Sequence, residues 1–391
     1  MQQDKTSTHG AFALLAISII GDNAIIGFPE GTGRDTWISL IIAFFLSLPL
    51  VLMYGRMVNL LPGRNIYQMA QFAFGRAGAV IVSFVFGFYC YALTSVMLFN
   101  FSSFINMVSL VRSEFYIIVF LFILAGVYLA YQGTTTIGKW SYLIFSTGSV
   151  MLILLLFFAS DIMNLRNLLP IFRHDFESIF SSGGKIAVLP LLHTVVTLGV
   201  SDSFAIKKKG TRLYGMGLLS GVLYLLLVFL RICCTLGAEM MNTVVFQNFR
   251  SVSLISISDF FERIEGVVIF LYIMAGIAQL ALCILSTANS AKTLFHLPSY
   301  KTLLIPISVL IFATALKPFQ SIIEMFDFLN VYYYASLPFQ IIIPLILWAA
   351  IEIKLKKEKR LNPLSRIQEE IDSLEEKTKK LSVKTGLQQD I

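Results

Sequence analysis

The feature that most constrains this chain is a series of ten long apolar segments separated by short polar stretches. A helix needs about 20 apolar residues to cross a hydrocarbon core that is about 30 Å thick. The segments therefore predict an all-α polytopic membrane protein with ten transmembrane helices. The predicted spans are 11–31, 37–60, 79–106, 115–132, 139–159, 186–206, 212–236, 266–288, 300–316 and 331–353.

The composition excludes several other classes of protein. Of the 391 residues, 57% are hydrophobic and 14% are charged, whereas a soluble domain carries about 25% charged residues. A soluble enzyme, a disordered chain and a DNA-binding module are therefore excluded. The first apolar run lacks the small-residue cleavage site of a signal peptide and is expected to stay as a span. We divide the chain into an N-terminal segment, 1–10, a membrane domain, 11–353, and a tail, 354–391.

The positive charges predict which side of the membrane each loop occupies. With both termini placed in the cytoplasm, the inner segments hold roughly two thirds of the 30 lysines and arginines, as the positive-inside rule requires. The net charge of +7 is thus a topology signal, and no nucleic acid partner is needed to explain it. The basic run 354–360 is expected to meet anionic lipid. Beyond it, the tail is either a solvated helix or a docking helix for a cytoplasmic partner.

Nothing in the sequence indicates a catalytic or metal site. The four cysteines lie inside apolar runs, and none has the spacing of a metal-ligand pair. Phosphate-binding loops, nucleophile elbows and zinc-protease motifs are also missing from the sequence. We therefore expect no enzyme activity, no metal and no cofactor.

The first span contains a polar interruption. Gly21, Asp22, Asn23 and Ala24 lie in the middle of an apolar run, where a charge costs roughly 3 kcal/mol on insertion scales. Broken helices occur at membrane depth where they line a cavity. We therefore predict a ligand-binding break here; the alternative is that Asp22 is protonated or paired inside the bundle.

A second interruption lies five spans later. The sixth span carries Pro190, His193, Thr194 and Thr197. Interrupted helices at corresponding positions in two halves are the best sequence indication of the binding site in inverted-repeat transporters. His193 taken alone is more often a buried histidine with satisfied hydrogen bonds than a ligand group.

Such a pair of breaks suits the binding of an amino acid. Free N–H groups at half-helix starts favour a carboxylate, and unwound carbonyl groups favour an ammonium group or Na⁺. Tyr89 in the third span and Gln279 in the eighth are further candidate ligand residues. Either side chain is also explained by hydrogen bonding between helices.

Several short motifs, in their order and spacing, resemble the GerB-type B subunit of bacterial spore nutrient-germinant receptors. This family is part of the amino acid/polyamine/organocation transporter superfamily. The resemblance covers residues 10–355 and leaves the tail outside. The motifs are Phe28-Pro29, Gly33-Arg34-Asp35-Thr36-Trp37, Pro62-Gly63-Arg64-Asn65, Asn167-Leu168-Leu169-Pro170 and Phe261-Glu262-Arg263.

The resemblance implies a leucine-transporter-like inverted repeat with broken helices one and six. It also implies a protein of the spore inner membrane that assembles with an A subunit and a lipoprotein C subunit. Its ligand would be a small nutrient, usually an amino acid, bound at residues 21–24 and around His193 and Thr194. Asp22 departs from the small or hydroxyl residue that is usual there, which would favour a cationic group. A coupled amino-acid transporter and a membrane scaffold are the alternative functions.

Overall fold

The structure is a computed structural model that describes residues 5–28, 32–205, 209–241, 243–255, 264–316 and 318–361. Within these ranges the chain is helical and forms no β-strand; an isolated bridge pairs Thr6 with Phe204. The helices are α1 (Thr8–Ile26), α2 (Thr36–Leu60), α3 (Ile66–Val108), α4 (Phe115–Gln132), α5 (Thr134–Phe158), α6 (Phe176–Val188), α7 (Gly210–Met241), α8 (Gln247–Ser253), α9 (Ile264–Leu294), α10 (Lys301–Ala315), α11 (Ile322–Leu337) and α12 (Ile343–Leu361).

Shorter segments connect or extend several of these helices. Turns of 3₁₀-helix occupy Gly33–Asp35 and Leu165–Leu168, and a longer 3₁₀ segment covers Leu191–Ser203. A π-turn at Pro338–Ile342 joins α11 to α12. The last two of these segments position the residues of the candidate site.

The predicted membrane spans agree with the helices, although the number ten stays a prediction. In the described part of the chain, eight helical stretches are long and apolar enough to cross a membrane. Two further apolar helices, Thr8–Gly21 and Lys301–Ala315, are shorter and coincide with the first and ninth predicted spans. The chain is a multi-pass membrane protein.

The outer surface of the bundle is apolar. Phe120, Phe157 and Ile305 are 51%, 71% and 71% exposed. An exposed apolar surface of this kind is stable in lipid and not in water. Polar side chains are instead found in the interior, where each needs a hydrogen-bond partner.

The middle of the bundle is occupied by α1, which packs against α5, α7 and α9. Around it, α3 packs along α9, and α2 packs along α6 and α7. Leu15 and Ile19 of α1 are fully buried. Any site between these helices is therefore shielded from lipid.

Helix α3 begins with a short segment that precedes its membrane-spanning part. Asn65 caps it: its side chain accepts a hydrogen bond from the Gln68 backbone N–H at 3.0 Å, and its own N–H donates to the Gln68 side chain at 3.1 Å. The first segment ends at Gly75, which has non-helical backbone angles, and the membrane-spanning part of α3 follows.

The position of the break in the first span differs from the prediction. The backbone is helical through residues 21–24, and α1 ends only at Gly27, where φ is +85°. Gly21 packs closely against α9, because a Cβ atom at this position would overlap the side chain of Gln279. A glycine in an apolar helix can mark a close helix contact as well as an unwound segment, and here it marks the contact.

Candidate functional site

The predicted interruption of the sixth span is present in the structure. Helix α6 ends at Val188, and the 3₁₀ segment Leu191–Ser203 begins directly after Pro190. Proline has no backbone N–H and cannot continue the α-helical bonding of the preceding turn. A 3₁₀ run of 13 residues is unusually long, and such stretches often mark a functional hinge.

Hydroxyl groups support the backbone of the 3₁₀ segment. Thr194 donates to the Leu191 carbonyl at 3.0 Å, and Thr197 donates to the Thr194 carbonyl at 2.6 Å. Both bonds span three residues, which is the 3₁₀ spacing. The Thr197 hydroxyl also lies 2.7 Å from that of Tyr214 in α7. These two predicted ligand residues thus stabilise the segment and its contact with α7.

His193 belongs to a buried polar cluster that we call the histidine cluster, formed by Tyr89, His193, Tyr332 and Gln340. His193 Nε2 lies 3.2 Å from the Tyr332 hydroxyl, which donates to the Tyr89 hydroxyl at 3.3 Å. Gln340 Nε2 donates to Tyr89 at 2.9 Å and to the Val188 carbonyl at 3.2 Å. The cluster therefore joins α3, the end of α6, the 3₁₀ segment and α11.

The cluster is held firmly by its neighbours. The Tyr89 ring stacks on Phe339 with 5.1 Å between centroids. The Tyr54 hydroxyl of α2 donates to the Gln340 carbonyl, which belongs to the π-turn. All four side chains of the cluster are at most 7% exposed.

Two atoms of the histidine cluster have unused hydrogen-bonding capacity. His193 Nδ1 and Gln340 Oε1 are buried and have no hydrogen-bond partner among the described residues. A buried polar atom without a partner carries a free-energy cost. A bound ligand or water molecule would remove that cost, so these atoms are candidate contacts for a ligand.

A second set of predicted residues meets between α1 and α9. Gln279 Nε2 donates to the Ser18 carbonyl at 3.2 Å, and its Oε1 has no hydrogen-bond partner in the described structure. The Asn23 carbonyl accepts the helix-ending bond from Gly27 at 3.0 Å. The side chains of Asp22 and Ala24 lie outside the described residues.

The predicted site residues therefore fall into two groups. Tyr89 and His193 share the histidine cluster, whereas Gly21 and Gln279 form the contact between α1 and α9. None of the hydrogen bonds described above joins the two groups. Tyr332 and Gln340 were missed by the sequence reasoning, although both are polar residues within the predicted tenth span and met the criterion that selected Gln279.

One family motif has a clear structural role. The buried Asp35 carboxylate accepts bonds from the backbone N–H groups of Phe172 and His174 at 2.9 and 3.1 Å. His174 Nδ1 lies 3.2 Å from the same carboxylate, and Arg34 donates to the Leu169 carbonyl. The motif holds the loop 169–174 against the start of α2.

Two cavities lie outside the histidine cluster. One, of about 30 Å³, lies between α1, α5, α7 and α9 and has Arg231 in its wall. The other, of about 760 Å³, lies between α3, α4 and the segment before α11. Metal-binding clusters of acidic, histidine or cysteine side chains were not found in the described part of the chain.

Solved transporters with a leucine-transporter-like fold are similar in structure to this chain. MHP1, a nucleobase-cation-symport-1 family transporter solved with bromovinylhydantoin bound, is similar with a TM-score of 0.65 and 14% identity; the match covers 88% of this chain and 78% of MHP1. MhsT in complex with L-phenylalanine is similar with a TM-score of 0.61 and 12% identity, over 90% and 89% of the two chains. The predicted all-α, leucine-transporter-like fold is confirmed, and the number of ten helices stays a prediction.

The sequence comparison is more specific than the fold. Residues 5–323 match the model of the spore germination protein family, and the chain belongs to that family. Spore germination protein KB of Bacillus subtilis (strain 168) is 20% identical over 371 residues, which cover 92% of this chain and 98% of the relative. The resemblance to the GerB type is thereby confirmed.

Proposed function

We propose that this chain is the membrane B subunit of a spore nutrient-germinant receptor, and that it binds a small nutrient, most simply an amino acid, inside the bundle. The observation that carries the proposal is His193 Nδ1, which is buried in a 3₁₀ segment directly after a proline break and has no hydrogen-bond partner among the described residues. The family and the fold support it, because the matched family is one of germination proteins and MhsT was solved with an amino acid.

The polar atoms of the histidine cluster and of the contact between α1 and α9 each suit a group of a zwitterionic ligand. Gln340 Oε1 and Gln279 Oε1 are buried acceptors without partners among the described residues, and an ammonium group has three donors. His193 Nδ1 donates or accepts according to the tautomer of the ring. The predicted ligand segment at 21–24 remains part of this proposal.

The site also has a mechanical connection to one end of the bundle. The 3₁₀ segment that begins near His193 ends at Ser203, whose carbonyl accepts a bond from the Thr6 backbone N–H at 2.8 Å. The Ala205 N–H donates to the Thr6 carbonyl at 3.0 Å. A ligand that moves this segment would therefore move the N-terminal residues, provided that it binds the two conformations with different affinity.

The test is the nutrient response of spores that carry His193→Leu. We expect the nutrient concentration for half-maximal germination to rise by about tenfold or more, which corresponds to the loss of one strong polar contact. His9→Leu is the matched control, since His9 is an exposed residue of α1. Membrane levels of both variants are measured by immunoblot. A normal dose–response in His193→Leu with normal protein levels would contradict the proposed site.

A coupled transporter is the second candidate, because the solved neighbours are transporters. Uptake of labelled amino acid into proteoliposomes of the isolated chain separates the two functions. Uptake driven by a proton or sodium gradient, and reduced by Asp22→Asn, would favour transport over sensing alone. A scaffold role becomes the better account if substitutions at Gly21, His193 and Thr194 all leave the nutrient response intact.

The proposed assembly and orientation are tested separately. A B subunit should copurify with a germinant-receptor A subunit and a lipoprotein C subunit after mild solubilisation. Both termini are proposed to face the cytoplasm, so a protease-cleavable tag at either end should be protected in right-side-out vesicles. Cleavage of one of these tags in sealed vesicles would contradict the predicted orientation.

A further inference from the structure

Arg231 is a fully buried cation in helix α7, and the proposed nutrient site does not involve it. Its Nη2 donates to the Asn248 side chain of α8, and the Asn248 amide donates in turn to the Tyr272 hydroxyl of α9. Buried charges in proteins are normally paired. Arg231 therefore needs an explanation beyond packing.

No counter-charge reaches the guanidinium within the described residues. The ion pairs found there are Arg56 with Glu352 and His174 with Asp35. The ionisable side chains that interact with Arg231 are Tyr272 and Tyr224, which are neutral as phenols. Arg231 Nε and Nη1 are buried and have no hydrogen-bond partner among the described residues. The N–H groups of Arg231 Nε and Nη1 can therefore bind an acceptor that the described residues do not supply.

Arg231 lies in the wall of the small cavity between α1, α5, α7 and α9. Its remaining lining is largely apolar, with Ile17, Val228 and Ala275 among the residues, and its polar wall is Arg231, Tyr224 and Tyr272. The cavity holds about 30 Å³, which is space for about one water-sized particle. A whole amino acid does not fit in this volume.

We propose that Arg231 binds a small monovalent anion, of the size of chloride, in this cavity. Guanidinium N–H groups form charge-assisted hydrogen bonds to anions, and these bonds are strongest where water is excluded. The Tyr224 and Tyr272 hydroxyls of the same wall are further donors. The bound anion neutralises Arg231 and thereby stabilises the packing of α7 and α8 against α9. The carboxylate group of a small acid offers the same chemistry, and the experiment distinguishes the two sources.

The test uses the full chain purified into lipid nanodiscs, with chloride replaced by gluconate at constant sodium concentration. A ligand that binds the folded state raises the unfolding temperature in a saturable way. We expect chloride to do so for the wild type and radiolabelled chloride to bind. A parallel titration with formate tests the carboxylate, and a response to formate alone would assign the site to carboxylates.

Arg231→Met removes the charge but keeps an unbranched side chain. We expect it to weaken the apparent chloride affinity by about tenfold or more. Arg250→Met is the matched control, because Arg250 is an exposed arginine of α8; this variant should respond as the wild type does. Chloride binding that survives in Arg231→Met would overturn the proposal.

Asn248→Asp is a second variant that does not depend on the folding of Arg231→Met. It places a carboxylate where Asn248 now accepts the bond from Arg231, so that the chain supplies the counter-charge itself. We expect a folded protein whose unfolding temperature no longer responds to chloride. A wild type that responds to neither chloride nor formate would overturn the proposal, and would point to an acidic residue of the chain, such as Asp259 or Glu262, as the partner of Arg231.

Discussion

The side chain of Gln279 in α9 occupies the space beside Gly21 in α1 where any other residue would place its Cβ atom. Gln279 is anchored in this position by its bond to the Ser18 carbonyl at 3.2 Å. The two helices therefore touch at one of the residues that the sequence reasoning assigned to ligand binding. If Gly21 serves the packing of α1 against α9, its mutation should lower stability; if it contacts a ligand, its mutation should change the ligand response.

Gly21→Ala is expected to lower the unfolding temperature, because the added methyl group overlaps Gln279 and overpacking costs about 1–3 kcal/mol. The double variant Gly21→Ala/Gln279→Ala should recover much of this loss, which a thermal unfolding series in detergent would measure as a coupling energy. Gly266→Ala is the control, since no atom lies within 4 Å of its added Cβ. Additive effects of the two substitutions would contradict the predicted contact.

Tyr332→Phe should destabilise the histidine cluster. The variant removes the hydroxyl that bonds both His193 and Tyr89, and leaving buried polar groups unsatisfied costs about 1–3 kcal/mol. Tyr334→Phe, on the same helix and 69% exposed, should have no measurable effect. The comparison is made by thermal unfolding of the two purified variants. Equal unfolding temperatures would show that the cluster contributes little to stability.

Asp35→Ala should release the loop 169–174 from the start of α2. The carboxylate accepts two backbone N–H bonds from this loop, and hydrogen bonds to a charged group contribute about 1.5–3 kcal/mol each. Hydrogen–deuterium exchange should therefore be faster at residues 169–174 than in the wild type. Asp161→Ala is the control, because Asp161 is exposed. Unchanged exchange in the Asp35 variant would show that the loop is held by other contacts.

Asn65→Ala should fray the first segment of α3, since losing an N-cap side chain costs about 1 kcal/mol. It also removes the bond from Asn65 Nδ2 to the Asp202 carboxylate at 3.0 Å. Asn65→Ser keeps a capping oxygen, but its side chain is too short to reach Asp202. The two variants therefore separate the capping of α3 from the bond to Asp202. Exchange rates across residues 66–75 provide the readout. We expect the order alanine, serine, wild type from fastest to slowest, and an identical rate in all three would refute the capping role.

The break in the sixth span could be predicted from the sequence, whereas the contacts between helices could not. Pro190 correctly indicated the break in the sixth span, because a missing backbone N–H acts locally whatever the surroundings. Gly21 was assigned to a break although α1 is continuous there, because a helix contact depends on which residue of another helix lies opposite. Tyr332 and Gln340 could have been selected as polar residues of the tenth span, but only the packing brings them to Tyr89 and His193.

The order of the amino acids is enough to identify a helical membrane protein and, through short motifs, the family to which it belongs. Long apolar segments permit few structures in lipid, because each backbone polar group must be satisfied inside its own helix. The packing of the helices is needed to see which polar side chains share a cluster. It is also needed to see that Arg231 lines a cavity and that its Nε and Nη1 have no hydrogen-bond partner among the described residues. Those relationships depend on the packing of helices far apart in sequence, and no local pattern encodes them.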